Sequence, residues 1–270
     1  KSGEIDLALL DPKNAKDFTD KEGYTCYDMT TADYRGILFN FWNDYWTENR
    51  DLIPAICYGI DRQAIIDSVL LGQGMAAYGP LQRNIYNDPD VAHYDYDPEK
   101  AKALLEEAGW DGSQTIRFYV NSGDSTFVNA ASIIAAEWAA VGIKAEIQTV
   151  DFATLMSVAG TEDYDVLAVQ YTYAPVDPYP DVAWLLGGEG SWTGYSNDTL
   201  NEALTKSQLT SDPEETKELF SVVDKKVQED VPMFSAYVIS AQGAVSKRIT
   251  GAAPSVYGFF NDVQNWDVVE

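Results

Sequence analysis

The chain has 270 residues, of which 46% are hydrophobic and 23% are charged, an ordinary globular composition. Its 43 acidic residues outnumber its 18 basic residues, and the net charge is -25. Such a surface repels phosphate backbones and anionic lipid, so we expect neither a nucleic-acid partner nor a membrane-surface partner. No apolar run approaches the roughly 20 residues that a membrane helix needs, and the first residues lack the apolar core of a signal peptide.

The first quarter of the chain is predicted to contain two extended segments and two helices. Residues 4–10 are predicted to form a strand, 14–21 a short helix and 24–41 a long connecting strand. In residues 50–71 the apolar side chains recur every three or four positions, which predicts one amphipathic helix. The aromatic residues between the last two segments are expected to pack together at a corner.

The middle of the chain alternates between strand and helix patterns. Asp97 is a helix cap and Pro98 occupies the first helical position of a helix over 97–108. A strand at 116–120, a helix at 126–141, a strand at 143–150, a helix at 152–159 and a strand at 166–169 follow. This order predicts an α/β fold in which a central, largely parallel sheet is flanked by helices.

The last predicted strand ends just before a proline-rich segment. The run at 166–169 is apolar throughout, as in a strand buried on both faces. Pro175, Pro178 and Pro180 follow it and predict a stiff loop. Ligands of open α/β sheets bind outside the carboxyl ends of the strands. We therefore expect this junction to form the floor of a binding cleft, or else a surface loop whose tyrosines pack on the core.

The remaining third is predicted to be helical and then extended. Asn197 caps one helix and Asp212 caps another, residues 231–246 form a strand, and the tail is loop with a short strand. Between the cleft and the first of these helices, a glycine-rich connection surrounds Trp192 and Tyr195.

Reactive groups are scarce. His93 is the only histidine, and Cys26 and Cys57 have neither zinc-site nor redox spacing. We therefore expect no catalytic residues, no metal and no cofactor. The two thiols are expected to be unpaired, with one disulfide between them as the alternative if the protein is exported. Three acidic residues near the cleft leave a carboxylate-based hydrolase open as a minor alternative: Asp177, Asp181 and Glu189.

Aromatic residues cluster in sequence around the predicted cleft. Aromatic rings bury large areas at low entropic cost, which suits reversible capture of a small solute. The cluster consists of Tyr171, Tyr173, Tyr179, Trp184, Trp192 and Tyr195. Trp184 and Trp192 are also compatible with a role in the core.

Three stretches resemble the peptide-type, family 5 extracytoplasmic solute-binding proteins of ABC importers. Residues 55–66 read A-I-C-Y-G-I-D-R-Q-A-I-I, residues 94–110 read Y-D-Y-D-P-E-K-A-K-A-L-L-E-E-A-G-W, and residues 3–6 read G-E-I-D. Each is similar to a family motif, and they occur in the family's order. The resemblance implies the C-terminal part of a periplasmic-binding-protein fold. It further implies a partial first lobe over 1–41, a complete ligand-binding lobe over 42–237, and a return to the first lobe over 238–270.

The resemblance also implies a ligand site. In the family, the strand that matches Gln170, Tyr171 and Thr172 pairs its backbone with an extended peptide. The family's aspartate for the peptide amino terminus falls at Ala174 here, and an arginine of some members falls at Ala168, so the charged anchors do not carry over. The expected ligand-binding residues are Tyr171, Thr172, Tyr173, Asp177, Tyr179, Tyr195, Tyr78, Asn121, Asn40 and Tyr237.

The function implied by the resemblance is that of a non-catalytic receptor. It would be extracytoplasmic, either periplasmic or lipid-anchored, and would act as a monomer that delivers an oligopeptide or similar small solute to an ABC transporter permease. The missing anchors leave an oligosaccharide ligand open. A sensory or adhesion ectodomain of the same fold is a further alternative.

Overall fold

One seven-stranded sheet forms the centre of the fold in the computed structural model, which describes residues 4–91, 93–172, 177–187, 190–252 and 262–269. Its strand order is β1-β7-β2-β6-β4-β5, and β3 pairs with β7. The strands are β1 Leu7–Leu10, β2 Tyr24–Phe39, β3 Gly74–Ala76, β4 Thr115–Asn121, β5 Lys144–Val150, β6 Val166–Thr172 and β7 Met233–Ser246. A separate two-stranded antiparallel sheet contains β8 Ile249–Thr250 and β9 Asp267–Val268.

The sheet is parallel on one side and antiparallel on the other. β4 is parallel to both β5 and β6, as the strand–helix alternation predicts, and the α/β class is confirmed. β1, β2, β3 and β7 join through antiparallel pairs. The whole sheet is therefore mixed, because the strands outside the βαβ units run against their neighbours.

Ten helices flank the sheet within the described ranges. They are α1 Pro12–Ala15, α2 Asp44–Glu48, α3 Leu52–Tyr58, α4 Arg62–Val69, α5 Pro98–Glu107, α6 Ser125–Ala140, α7 Phe152–Val158, α8 Tyr179–Leu186, α9 Asp198–Ser207 and α10 Pro213–Asp230. None of these helices is long and apolar enough to cross a membrane.

The predicted helix over 50–71 is wrong in one respect, because the chain breaks it into α3 and α4. Gly59 ends α3, and the Asp61 side chain caps α4 by accepting a hydrogen bond from the Ala64 amide at 2.9 Å. The Glu137 carboxylate accepts the Asp61 amide at 3.0 Å. Both helices keep the same buried stripe, so apolar periodicity alone does not reveal the break.

The predicted proline loop is also shorter than expected. Residues Tyr179–Leu186 form α8, with Pro178 at the cap position and Pro180 in the first turn. Proline is tolerated there because the first amides of a helix have no intrahelical acceptor. Prolines that argue against a strand are thus equally compatible with the start of a helix.

Two apolar cores lie on opposite faces of the sheet. Val166 and Ala168 of β6 belong to one core, and Leu167, Val169 and Tyr171 belong to the other. The run at 166–169 is therefore buried on both faces, as its composition predicts.

β2 and β7 are the longest strands and pair along most of their length. Their register shifts between Thr30 and Tyr34 and again between Arg35 and Gly36. Such irregularities bend a strand pair locally. The division of the chain at residues 41 and 237 remains a prediction.

Candidate ligand-binding groove

A groove runs along the carboxyl edge of the three parallel strands. Asn121 ends β4, Phe152 follows β5, and Thr172 ends β6, and all three line the groove. An apolar part of about 420 Å³ and a polar part of about 520 Å³ adjoin, since both are lined by Asn121, Asp124, Phe152 and Gln170. This is the position at which open α/β sheets bind their ligands.

The groove exists because β4 and β6 separate. They pair only at Phe118 with Val166 and at Tyr119 with Leu167. Beyond that point, residues 168–172 of β6 pair with β2 alone among the strands described. The edge of β6 that faces β4 is therefore not covered by β4 over these residues, and an extended ligand can add to such an edge as one further strand.

Side-chain alternation along β6 decides which residues face the groove. Gln170 and Thr172 are exposed and share a face with Ala168, and all three line the apolar part. Tyr171 also borders the groove, but its ring points to the rear. It stacks on Tyr34 with ring centroids 5.0 Å apart, and its hydroxyl is 2.8 Å from Ser235 Oγ.

The expectation that the Tyr171 ring forms part of an aromatic rim is therefore wrong. A residue whose neighbours face the groove must point away from it in a strand. Any contact of Tyr171 with a ligand would therefore be made by its backbone, while its buried ring anchors this part of β6 to the core.

The polar end of the groove contains a buried arginine. Arg35 is only 6% exposed. Its Nε donates to Asp124 Oδ2 at 2.8 Å, and its Nη1 donates to Asp33 Oδ1 at 2.5 Å and to the Tyr34 carbonyl at 3.1 Å. Burial lowers the pKa of Arg35, but the two carboxylates more than offset this effect, so its pKa is raised overall and it stays cationic.

Helix capping positions two of the acidic groups in the groove. Asp124 Oδ1 accepts the Phe127 amide at 2.9 Å and caps α6, which leaves Oδ2 for Arg35. Asp151 caps α7 by accepting the Thr154 amide at 2.9 Å, and that hydrogen bond lowers the Asp151 pKa. Both carboxylates are therefore held at strand ends by the helices that follow them.

The apolar end is bordered by exposed aromatic side chains. Phe152 is 60% exposed and Trp192 is half-buried, and both line the groove with Leu155. Trp184 is 46% exposed and its ring centroid lies 4.3 Å from that of Trp192. Trp184 is thus not a core residue, and the pair forms an accessible apolar surface beside the groove.

Three residues expected to contact ligand lie in the interior instead. Asn40 is fully buried, and its Nδ2 donates to the Thr161 and Tyr164 carbonyls at 2.8 and 2.7 Å. Tyr195 is fully buried and donates its hydroxyl to Asp230 at 2.6 Å. Tyr237 is fully buried, and its hydroxyl has no partner among the described residues.

These positions correct the expected roles of Asn40 and Tyr195. Asn40 fastens the end of β2 to the loop before β6, and Tyr195 fastens the glycine-rich connection to α10. Both act on the groove only by holding the elements that form it.

The other expected residues are spread around the groove. Tyr78 stacks on His93 at 4.0 Å and does not line the groove. Tyr179 is half-buried, and the exposed Asp177 accepts its amide at 3.1 Å, so Asp177 helps to begin α8. Tyr173 lies outside the described residues, as does Glu189. Contact of Asn121 and Thr172 with a ligand stays a prediction.

Sequence reasoning missed the polar end of the groove. Charged residues at 33 and 35 stand inside a segment that is otherwise apolar toward its end, and a charge in such a strand must be paired or functional. That signal was available, but the partner Asp124 lies 89 positions away from Arg35.

The described residues contain no group of three or more His, Cys, Asp or Glu side chains arranged to hold a metal ion. Cys26 is half-buried and Cys57 is buried, and both thiols are free. Burial raises the pKa of Cys57 far above its usual value, which leaves it protonated and unreactive.

Comparison with solved structures defines the class of fold. The ABC transporter substrate-binding protein CtaP from Listeria monocytogenes superimposes with a TM-score of 0.90 at 22% sequence identity, over 99% of this chain and 57% of that one. The predicted periplasmic-binding-protein fold is thereby confirmed.

Comparison with protein families places the chain more closely. Residues 1–193 match the model of bacterial extracellular solute-binding proteins, family 5 middle, and the chain belongs to that family. Heme-binding protein A of Haemophilus influenzae is 28% identical over 78% of this chain, and the dipeptide-binding protein of Escherichia coli is 30% identical over 66%.

The chain spans 40% of the first of these relatives and 35% of the second. Family membership confirms the predicted class, that of the bacterial extracellular solute-binding proteins. The relatives differ in the ligands for which they are named, so membership does not specify the ligand.

Proposed function

We propose that this chain is the ligand-binding part of a receptor that delivers an oligopeptide or similar small solute to the permease of an ABC importer. The observation that carries the proposal is the edge of β6 over residues 168–172, from which β4 has separated and which borders a groove at the carboxyl ends of three parallel strands. An extended peptide is the ligand that best matches a free strand edge, because its backbone supplies both donors and acceptors at strand spacing.

The binding mode follows from this geometry. The ligand backbone pairs with β6, while its side chains meet the exposed Gln170 and Thr172 and the apolar surface of Phe152 and Trp192. Backbone pairing is independent of the ligand's side chains. It therefore suits a receptor that accepts more than one peptide.

The rest of the receptor cycle is proposed from the family. A monomeric receptor, periplasmic or lipid-anchored at the cell surface, would close two lobes over the ligand. β2 and β7 would bend at their register shifts near Thr30 and Arg35. The closed form would then dock on the permease.

An oligosaccharide is a second candidate ligand. Sugar rings stack on aromatic side chains, and the exposed Phe152 and the adjoining Trp184–Trp192 pair favour that possibility. A sugar would use the side-chain surface of the groove and leave the β6 edge unpaired, which separates the two candidates.

Calorimetry of the protein against peptide and oligosaccharide libraries tests the proposal. For a peptide that binds, two analogues carry backbone N-methyl groups at alternate positions, so that one analogue blocks the amides directed at β6 and the other blocks those directed away. We expect the first analogue to bind at least about tenfold more weakly and the second to bind as the parent does. No binding in either library would refute the proposal.

A further inference from the structure

The gap between β4 and β6 has a helix on each face of the sheet. β4 lies between β5 and β6, so α6 leads outward from β4 to β5, whereas α7 leads back past β4 to β6. Connections between parallel strands are right-handed, and two connections that run in opposite directions therefore place their helices on opposite faces. The two cores agree with this arrangement, because Phe127 of α6 packs in the core of Ala168 and Leu155 of α7 packs in that of Tyr171. A strand that adds to β6 in this gap would have α6 on one side and α7 on the other.

The α6 side of the gap presents mainly polar side chains. Gln170 and Thr172 are exposed, and Asp124, which caps α6, lines the polar part of the groove together with Gln170. Ala168 and Phe127 belong to the same side, but at 5% and 3% exposure they offer a ligand little surface. A ligand side chain on this side therefore meets groups that need hydrogen bonds.

The α7 side of the gap presents apolar side chains. Trp192 is half-buried and lines the groove with Leu155, and both pack with the core on that face. Trp184, whose ring adjoins that of Trp192, extends the apolar surface outward. Asn121 and Phe152 line both parts of the groove and do not distinguish the two sides. A ligand side chain on the α7 side therefore exchanges water for apolar contacts.

Strand pairing would send successive ligand side chains to alternate sides of the gap. Cross-strand partners share a face of the sheet, and side chains alternate along a strand. Ligand residues opposite Val169 and Tyr171 would therefore face α7. Those opposite Ala168, Gln170 and Thr172 would face α6. A ligand strand rises by the same roughly 3.3 Å per residue as β6, so this edge pairs with a segment of about five residues.

We propose that the groove selects extended peptides in which apolar and polar side chains alternate, with the apolar ones directed at Trp192 and Leu155. The proposal rests on the receptor function proposed above and specifies its substrate class. An apolar side chain turned toward α6 would displace water from Gln170 and Asp124 without replacing its hydrogen bonds. The same side chain turned toward α7 would bury apolar area against the indole ring. The alternation along the ligand therefore sets the affinity, more than the identity of any single side chain.

Two peptides of identical composition test the alternation by calorimetry. The first is acetyl-Ser-Phe-Ser-Phe-Ser amide, whose phenylalanines both face α7 in one register. The second is acetyl-Ser-Ser-Phe-Phe-Ser amide, whose adjacent phenylalanines face opposite sides in every register. Neither peptide has a charged terminus, so the comparison is independent of terminal charge.

We expect the first peptide to bind about tenfold or more tightly than the second, because one more phenylalanine is buried on the apolar side. Equal binding of the two peptides, or tighter binding of the second, would overturn the inference and leave the receptor function intact. If no peptide binds, in this comparison or in the library screen, the receptor function and the inference are both wrong.

Variants on each side of the gap locate the preference. Trp192→Ala removes the apolar ring and should weaken binding of the first peptide about tenfold, which reduces its advantage to within about threefold. Gln170→Leu replaces an exposed amide on the α6 side and should tighten binding of the second peptide about threefold or more without weakening the first. Tyr96→Ala, the matched control, removes an aromatic ring that is 43% exposed and lies outside the groove, and should change neither affinity.

Thermal unfolding of each variant checks its folding. A folded Trp192→Ala or Gln170→Leu protein that keeps the full preference for the first peptide would contradict the assigned sides. If Trp192→Ala does not fold, the exposed Gln170→Leu substitution alone decides the question.

Discussion

The buried Asp224 of α10 should make the protein less stable as the pH rises. Its side chain is fully buried, and neither carboxylate oxygen makes a well-formed hydrogen bond within the described chain. A Cβ added at Gly79 would lie 2.9 Å from Asp224 Oδ1, so the 77–81 segment packs directly on the carboxylate. Burial raises the Asp224 pKa from 3.8 to about 7, and the nearby Asp88 backbone opposes the shift only in part.

The sign of the effect follows from proton uptake. Between the unfolded pKa of 3.8 and the folded pKa of about 7, the folded state binds a proton that the unfolded state has lost. Stability therefore falls as the pH rises through this window and levels off above it. At about 1.36 kcal/mol per pKa unit, the penalty is roughly 1.6 kcal/mol at pH 5 and about 4 kcal/mol at pH 8.

Asp224→Asn keeps the shape of the side chain and removes the ionisation. Any constant cost of burying the amide cancels when two pH values are compared. The variant should therefore gain about 2.5 kcal/mol of unfolding free energy over the wild type on going from pH 5 to pH 8. Comparison with the wild type matters because burial also raises the Glu137 pKa to about 7 and adds to the wild-type pH dependence.

Urea unfolding followed by tryptophan fluorescence at pH 5, 6, 7 and 8 measures the difference. Asp198→Asn, an exposed residue in the first turn of α9, is the matched control and should show no change with pH beyond about 0.5 kcal/mol. A stability difference between Asp224→Asn and the wild type that is the same at pH 5 and pH 8 would refute the reasoning.

Two further substitutions separate structural from binding roles. Gly194→Ala should destabilise the protein by about 3 kcal/mol, because the new Cβ would lie 2.7 Å from the Trp42 ring at a φ of +68. The control, Gly160→Ala, is also at positive φ, but its nearest atom is 3.9 Å away, so it should cost about 1 kcal/mol. Equal losses of stability for the two variants in thermal unfolding would argue against the clash. Tyr171→Phe should cost about 1 kcal/mol through the lost Ser235 contact and leave ligand affinity unchanged, since the ring faces the rear, so a large loss of affinity would contradict the assigned orientation.

Local patterns in the sequence predict most of the elements of the fold. The caps at Asp97 and Asp212 mark helix starts that the structure confirms, and the apolar run at 166–169 predicts a doubly buried strand. The same local patterns do not predict a break inside an amphipathic stretch or a helix that begins on a proline. The apolar stripe continues across Gly59, and prolines end one element as readily as they begin another.

The sequence predicts the position of the candidate site but not which side chains line it. The end of β6 is a binding edge because β4 separates from it, and no local pattern encodes that separation. Side-chain alternation along β6 determines the orientation of Tyr171: Gln170 and Thr172 face the groove, so the Tyr171 side chain cannot. The cluster of Asp33, Arg35 and Asp124 depends on contacts between distant segments, which sequence pattern alone does not provide.

Hydrogen–deuterium exchange on the protein, with and without the tightest-binding peptide from the calorimetric screen, tests the pairing of ligand with the open strand edge most directly. The pairing predicts slower exchange of backbone amides within residues 168–172 and no change within residues 101–107 of α5, which lie outside the groove. Binding that leaves exchange at 168–172 unaltered, with protection elsewhere in the chain, would contradict it.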